Sequence, residues 1–193
     1  DNHGNNKNFR HRNIYVDHAL TAVLKIDPYK TLSAFYTGIT IPVDPKSFWP
    51  VFNTSNPLYI QLGNPDLISS FVNSLMINYT SNSIRGIVFG EALEGRHIKN
   101  SLSTAIFIDA AGRQVSMPVN TSGAWSLSHN MVLGAKIKNT GITLNFNNNF
   151  NYTQDNSLIN GERNTSRRYS FTNGIQASYN WKRMLEIATR ATI

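Results

Sequence analysis

The chain has 193 residues, a net charge of +7 and no cysteine, with 40% hydrophobic and only 15% charged residues; Asn, Ser and Thr make up the difference, Asn alone supplying about two dozen. A polar, weakly charged composition with 11% aromatics excludes a disordered segment, which would be charged and aromatic-poor, and the lack of Cys excludes a disulfide framework and thiolate metal sites. Lys and Arg are scattered in ones and twos, denser only in "KNFRHR" (7–12) and "RNTSRR" (163–168), so there is no basic face and no nucleic-acid partner is expected. No apolar run approaches the ~18 residues of a spanning helix. Membrane residence would therefore have to rest on β-strands.

Period-two alternation runs through almost the whole chain. Within 14–26, Leu20, Ala22, Leu24 and Ile26 share a parity, and "DPYK" at 27–30 reads as a tight turn with Pro28 where no ladder bond is lost. Residues 31–40 run back out. Over 69–80, Phe71, Leu75, Ile77 and Tyr79 share a face with Asn73, and "SNS" then turns the chain into "IRGIVFG". From 122 to 136, Trp125, Leu127, Met131 and Leu133 align, with His129 among them. "KNTG" at 138–141 leads into "ITLNFNNNFNY" at 142–152. There Ile142, Leu144, Phe146, Phe150 and Tyr152 take one parity, and Thr143, Asn145, Asn147, Asn149 and Asn151 the other; Asn148 interrupts the oily set. Tyr169, Phe171, Ile175, Ala177 and Tyr179 alternate with Ser170, Thr172, Gly174, Gln176 and Ser178, and "WKR" turns into a last alternating run at 184–193. No segment holds a 3.6-residue period beyond two turns. The chain reads as all-β.

Short links near 27–30, 81–83, 137–140 and 181–183 alternate with long ones at about 41–68, 93–121 and 154–167. Tight turns at one end and long loops at the other mark an up-and-down outer-membrane barrel, whereas a sandwich mixes its connections through Greek-key crossings. Tyr79, Tyr179 and Trp181 fall near the short turns, and Trp125, Tyr152 and Tyr169 toward the other end. Two such levels are what interfacial girdles require. The runs exceed the five or six residues usual in soluble proteins and suit the ~9–11 of a tilted spanning strand. The expected fold is an antiparallel up-and-down transmembrane β-barrel segment, about eight strands of a larger barrel, forming one partial domain over 1–193 with the three long links as outer loops. A closed eight-stranded barrel is the minor alternative. The start at Asp1 and the end inside an alternating run suggest a fragment.

Three stretches, in order, resemble a known family. "SNPLYIQLGNPDLISSF" at 55–71 carries Asn56, Pro57 and Leu58, then Gly63, Asn64, Pro65, Asp66 and Leu67, similar to an "NPL…GNPDL" element ahead of a long strand. "DAAGRQVSMPVNTSGAWSLSHN" at 109–130 is similar to a "D..G.....PVN..G" pattern, and the stretch from Thr143 to Phe171 to a strand, "INGE.N" loop and returning strand. The family is that of Bacteroidetes outer-membrane β-barrels related to TonB-dependent receptors, and the likeness covers about two thirds of the chain. Ile68 and Ser69 depart from it, standing where a Lys-Pro pair is usual. The resemblance implies a piece of the C-terminal half of a barrel of about 22 strands, and uptake of a large or scarce solute across the bacterial outer membrane. The wall would line the pore and the outer loops would capture ligand. Implied partners are outer-membrane lipid, the TonB energy-coupling system through N-terminal parts outside this sequence, an optional surface lipoprotein, and a solute the residues do not specify.

Catalytic chemistry has no visible carrier. The histidines (His3, His11, His18, His97 and His129) stand apart from one another and from paired carboxylates, and no H-E-x-x-H, G-x-S-x-G or phosphate-cradling glycine loop occurs. The expectation is neither enzyme activity nor a metal or cofactor. His129 reads as a lumen-edge or girdle residue and His18 as a polar-face residue. Asp109 with Gly112 reads as a turn. On the barrel reading, Ile142, Leu144, Phe146, Phe150, Phe171 and Ile175 face lipid while the asparagines face water inside. Arg163, Arg167 and Arg168 in the outward loop are candidate contacts for lipopolysaccharide phosphates or another anion, an ordinary solvated loop being the simpler reading. A secreted soluble β-rich adhesin or glycan-binding module is the alternative function, and a purely structural scaffold a third.

Overall fold

The computed structural model describes residues 15, 17–49, 56, 58–83, 86–181 and 185–192. Its strands are β1 (His18–Asp27), β2 (Lys30–Ile41), β3 (Tyr59–Gln61), β4 (Ser70–Asn82), β5 (Ile87–Lys99), β6 (Ser101–Ile108), β7 (Gln114–Thr121), β8 (Ala124–Lys136), β9 (Ile142–Ile159), β10 (Glu162–Trp181) and β11 (Leu185–Thr192). A 3-10 turn, Pro45–Phe48, is the one helical element among the described residues.

All eleven strands belong to one sheet. β1, β2, β4, β5, β8, β9, β10 and β11 form an antiparallel meander, each paired with the next. The other three build an extension at the end opposite the short turns. β6 and β7 are a hairpin, β3 adds to β7 in parallel, and β6 adds in parallel to the tip of β9 at Ala105↔Leu158. β1 and β11 each have one neighbour, so the sheet is open among the described residues.

Two expectations are corrected here. The count of about eight strands becomes eleven among the described residues, and the two parallel pairings depart from a pure up-and-down pattern. The long loops also shrink. Within 93–121, β5 continues to Lys99 and the β6–β7 hairpin fills the rest. Within 154–167 there is no loop: β9 and β10 stay paired to Glu162↔Ile159 across Asn160 and Gly161. Both of these have positive φ, 50° and 82°, as a type I′ turn demands, and Asn-Gly is the dipeptide that reaches it at least strain. Only 41–68 remains mostly irregular, and of its described residues the 3-10 turn and β3 are regular.

Turns at both ends close by local chemistry. At 27–30 the Asp27 carboxylate accepts from the Tyr29 N–H at 2.8 Å and pairs with Lys30 at 3.1 Å. At 109–113, Asp109 Oδ1 accepts from the Ala111 and Arg113 N–H groups, both at 2.9 Å.

The buried residues gather at one end. Leu67, Val72, Ala105 and Ala124 are almost wholly covered, as are the polar Ser70 and Asn156. They sit where β4, β5 and β8 meet the extension. Along the rest of the meander one face keeps large apolar side chains exposed, among them Leu20 at 68%, Phe171 at 63% and Ile175 at 59%. That is the reverse of a water-soluble sandwich, which would bury such a face.

Candidate functional site

Cross-strand register sorts the meander into two faces. On one, Leu144 stands opposite Ala177 and Ala135, Phe146 opposite Ile175 and Leu133, and Phe150 opposite Phe171. The row-by-row pairing carries this face to Leu75, Ile77 and Tyr79 on β4, then to Leu32, Ala34 and Tyr36 on β2 and Leu20, Ala22 and Leu24 on β1. Thus Ile142, Leu144, Phe146, Phe150, Phe171 and Ile175 lie together on one apolar surface. The alternate residues form the other face. There Asn149 is hydrogen-bonded to Asn130 and Asn151 to Asn149. Ser74 donates to Glu94 at 2.8 Å, Arg96 pairs with Glu94 at 3.4 Å, and Arg168 with Asp155 at 3.0 Å.

Aromatic rings mark both ends of the apolar face. Near the short turns Tyr79 packs on Phe89, centroids 5.9 Å apart. At the other end Trp125 packs on Tyr152 at 4.5 Å and Tyr152 on Tyr169 at 4.8 Å. The run from Tyr169 to Tyr179, at ~3.4 Å per residue and a tilt near 40°, spans about 26 Å. That is the height of an outer-membrane apolar band.

Polar residues interrupt this face in several rows, and partners on the same face meet them; Asn73, for one, accepts from the Tyr36 hydroxyl at 2.8 Å. Asn148 stands opposite Asn173 and donates to its Oδ1 at 2.8 Å. His129 Nε2 meets Glu91 Oε1 at 3.3 Å. His129 lies on the apolar face in the row next to the Tyr152–Tyr169 level, beside the girdle rather than at a lumen edge, and its carboxylate partner comes from β5. His18 is corrected too. It shares the parity of Leu20 and lies against the Tyr36 and Phe71 rings at 5.4 and 5.8 Å, rather than on the polar face.

The family-motif residues turn out to build the capped end. Asn56 Oδ1 accepts from the Leu58 N–H at 3.0 Å, and the Leu58 carbonyl accepts from Gln114 at 2.8 Å. Gly63 runs so close to the backbone at Ser47 and Trp49 that a Cβ would strike the Trp49 carbonyl. Asn64 donates to the Pro118 carbonyl at 3.0 Å and accepts from the Asp66 N–H at 2.9 Å, which folds Pro65 and Asp66 outward and drives Leu67 into the core. Pro57 lies outside the described residues. Asn120 completes the clamp in a way the sequence did not announce. Its side-chain amide accepts from the Ile68 N–H at 2.9 Å and donates to the Ile68 and Asn100 carbonyls, both at 2.8 Å. One amide thus substitutes for a missing strand pairing. A cleft of about 560 Å³ opens beside this clamp, lined by Lys46, Trp49, Gln61, Thr104, Ser116 and Met117 among others.

The three arginines do not converge. Arg163 and Arg167 share the parity of Tyr169 on the apolar-face side, whereas Arg168 lies on the opposite face with Asp155. No group of three His, Asp or Glu stands together as a metal site among the described residues.

The outer membrane protein β-barrel family matches over residues 22–192, and the chain belongs to it. This places the chain in the bacterial outer membrane. Among solved structures, the siderophore receptor PirA from Pseudomonas aeruginosa is similar in fold, with a TM-score of 0.56 at 12% identity; the match covers 92% of this chain and 42% of the receptor. The chain thus spans about two fifths of that receptor's length. No curated protein matches it.

Proposed function

We propose that the chain is part of the wall of a TonB-dependent-receptor-type barrel, serving uptake of a large or scarce solute across the outer membrane. The observation that carries this reading is the two-faced wall: an exposed apolar band about 26 Å tall between two aromatic levels, backed by a hydrated face of Asn, Ser and Thr. The fold likeness to a siderophore receptor supports it. Ile142, Leu144, Phe146, Phe150, Phe171 and Ile175 face acyl chains, and the asparagine ladder lines the water-filled interior. Solute capture falls to the capped end and its cleft. Coupling to the TonB system runs through parts of the protein outside this chain.

Orientation is tested by paired substitutions. Ile175 lies opposite Phe146 near mid-height, so Ile175→Arg should destabilise the folded barrel by about 2–4 kcal/mol. Thr172→Arg, on the hydrated face, should be tolerated. Heat-modifiable gel migration and urea unfolding in detergent read both, and equal losses would overturn the assignment. For transport, a strain lacking the protein and a strain lacking TonB should lose uptake of the same solute; uptake that persists without TonB would refute the coupling.

A further inference from the structure

We propose that Arg167 and Arg163, above the Trp125–Tyr152–Tyr169 aromatic row, form a binding site for the phosphate groups of lipid A in the outer leaflet. The site is built rather than incidental. Trp125, Tyr152 and Tyr169 stack across three adjacent strands, and Tyr169 is 69% exposed, giving an outward platform at the rim of the apolar band. Arg167 follows Tyr169 on the same face, about 7 Å further along the strand. Its guanidinium is positioned from below: Arg167 Nε donates to Gln154 Oε1 at 3.1 Å, the Tyr152 hydroxyl donates to the same oxygen at 3.1 Å, and Gln154 Nε2 donates to the Gly123 carbonyl at 3.2 Å. Arg163 is held in turn by a 2.9 Å bond from Nη2 to the Ser122 carbonyl.

One hydrogen bond is described for each of these guanidiniums, out of five donors that an arginine carries. The remaining fork of each is free in geometry to take a phosphate in two parallel bonds, the arrangement arginine makes best. The location selects the ligand. An anion beside an exposed aromatic rim on the membrane side of an outer-membrane wall is a lipid headgroup, and at the end opposite the short turns that leaflet is the outer one. Arg168 supplies an internal control, since it shares the segment and the charge but lies on the opposite face, paired with Asp155 at 3.0 Å.

The inference rests on the outward orientation of the apolar face, which the Ile175 and Thr172 substitutions read independently. The test uses the intact protein in detergent, titrated with lipid A and with dephosphorylated lipid A and read by native mass spectrometry. The double variant Arg163→Gln/Arg167→Gln should bind lipid A at least tenfold more weakly while keeping its heat-modifiable migration. Arg168→Gln should bind like the parent, and dephosphorylated lipid A should bind the parent as weakly as lipid A binds the double variant. Parent-like binding by the double variant, an equal loss in Arg168→Gln, or equal competition from phosphatidylglycerol micelles would overturn the site.

Discussion

The spanning meander and the capped end obey opposite rules. Along the meander, apolar side chains lie uncovered on one face, and cohesion comes from continuous ladders between neighbouring strands. At the cap, Leu67, Ala105 and Ala124 are buried as in a soluble protein, while Asn64 and Asn120 knit irregular backbone together with their side chains. On the proposed orientation of the wall, the contrast follows from the surroundings. A wall in lipid gains nothing from hiding apolar groups from a solvent that is itself apolar, but must satisfy every backbone N–H and C=O. A cap in water must exclude solvent from a core.

Substitutions can break this contrast. The largest effect belongs to the cap: Leu67→Ala should cost about 2–5 kcal/mol, as for a fully buried leucine, measured by urea unfolding of the folded protein. A loss below about 1 kcal/mol would mean that the cap has no real core. Next comes the wall, where Asn148→Leu leaves the Asn173 amide without its partner and should cost about 1–3 kcal/mol. The double change Asn148→Leu/Asn173→Leu should recover most of that loss, because lipid accepts leucine freely. A double variant worse than the single one would place this pair out of contact with lipid.

The smallest effect is a titration. Backbone and guanidinium hydrogen bonds from Arg113 hold the Asp109 carboxyl below its ordinary value of 3.8. A carboxyl lowered by folding stabilises its turn above that ordinary value and loses the contribution as pH falls through the lower folded one. Amide exchange at Ala111 and Arg113 should therefore quicken as pH drops below about 4, after correction for intrinsic rates. In Asp109→Asn that acid-dependent step should vanish.

The eight strands of the meander, the parity of each face and the aromatic levels were legible in the sequence, because period-two alternation is a local property; β3, β6 and β7 were not, since they fall in stretches that read as loops. What required the fold was register. Asn148 looked like a flaw in an oily stripe until its partner Asn173 came opposite it, and Glu91 lies far from His129 in the chain. Asn160-Gly161 is the strongest short hairpin signal, and it makes continuous paired strand of a stretch that the family pattern treats as loop. The parity that divides Arg168 from Arg163 and Arg167 follows directly from residues 162–168 being strand. The clamp by Asn120 had no signal of its own, since an amide that substitutes for backbone pairing looks like any other asparagine.

The long β9–β10 hairpin also has a bearing on how the chain folds. Its strands are joined by two residues and remain paired from Glu162↔Ile159 to Tyr179↔Ile142, so its loop-closure entropy is near the minimum any contact can have. Parallel pairings such as Tyr59↔Gln114 must instead wait for more than fifty intervening residues to be gathered in. Topology of this kind sets the order of events: the hairpin zips first and offers its two flanks as templates to β8 and β11, and the capped end locks last.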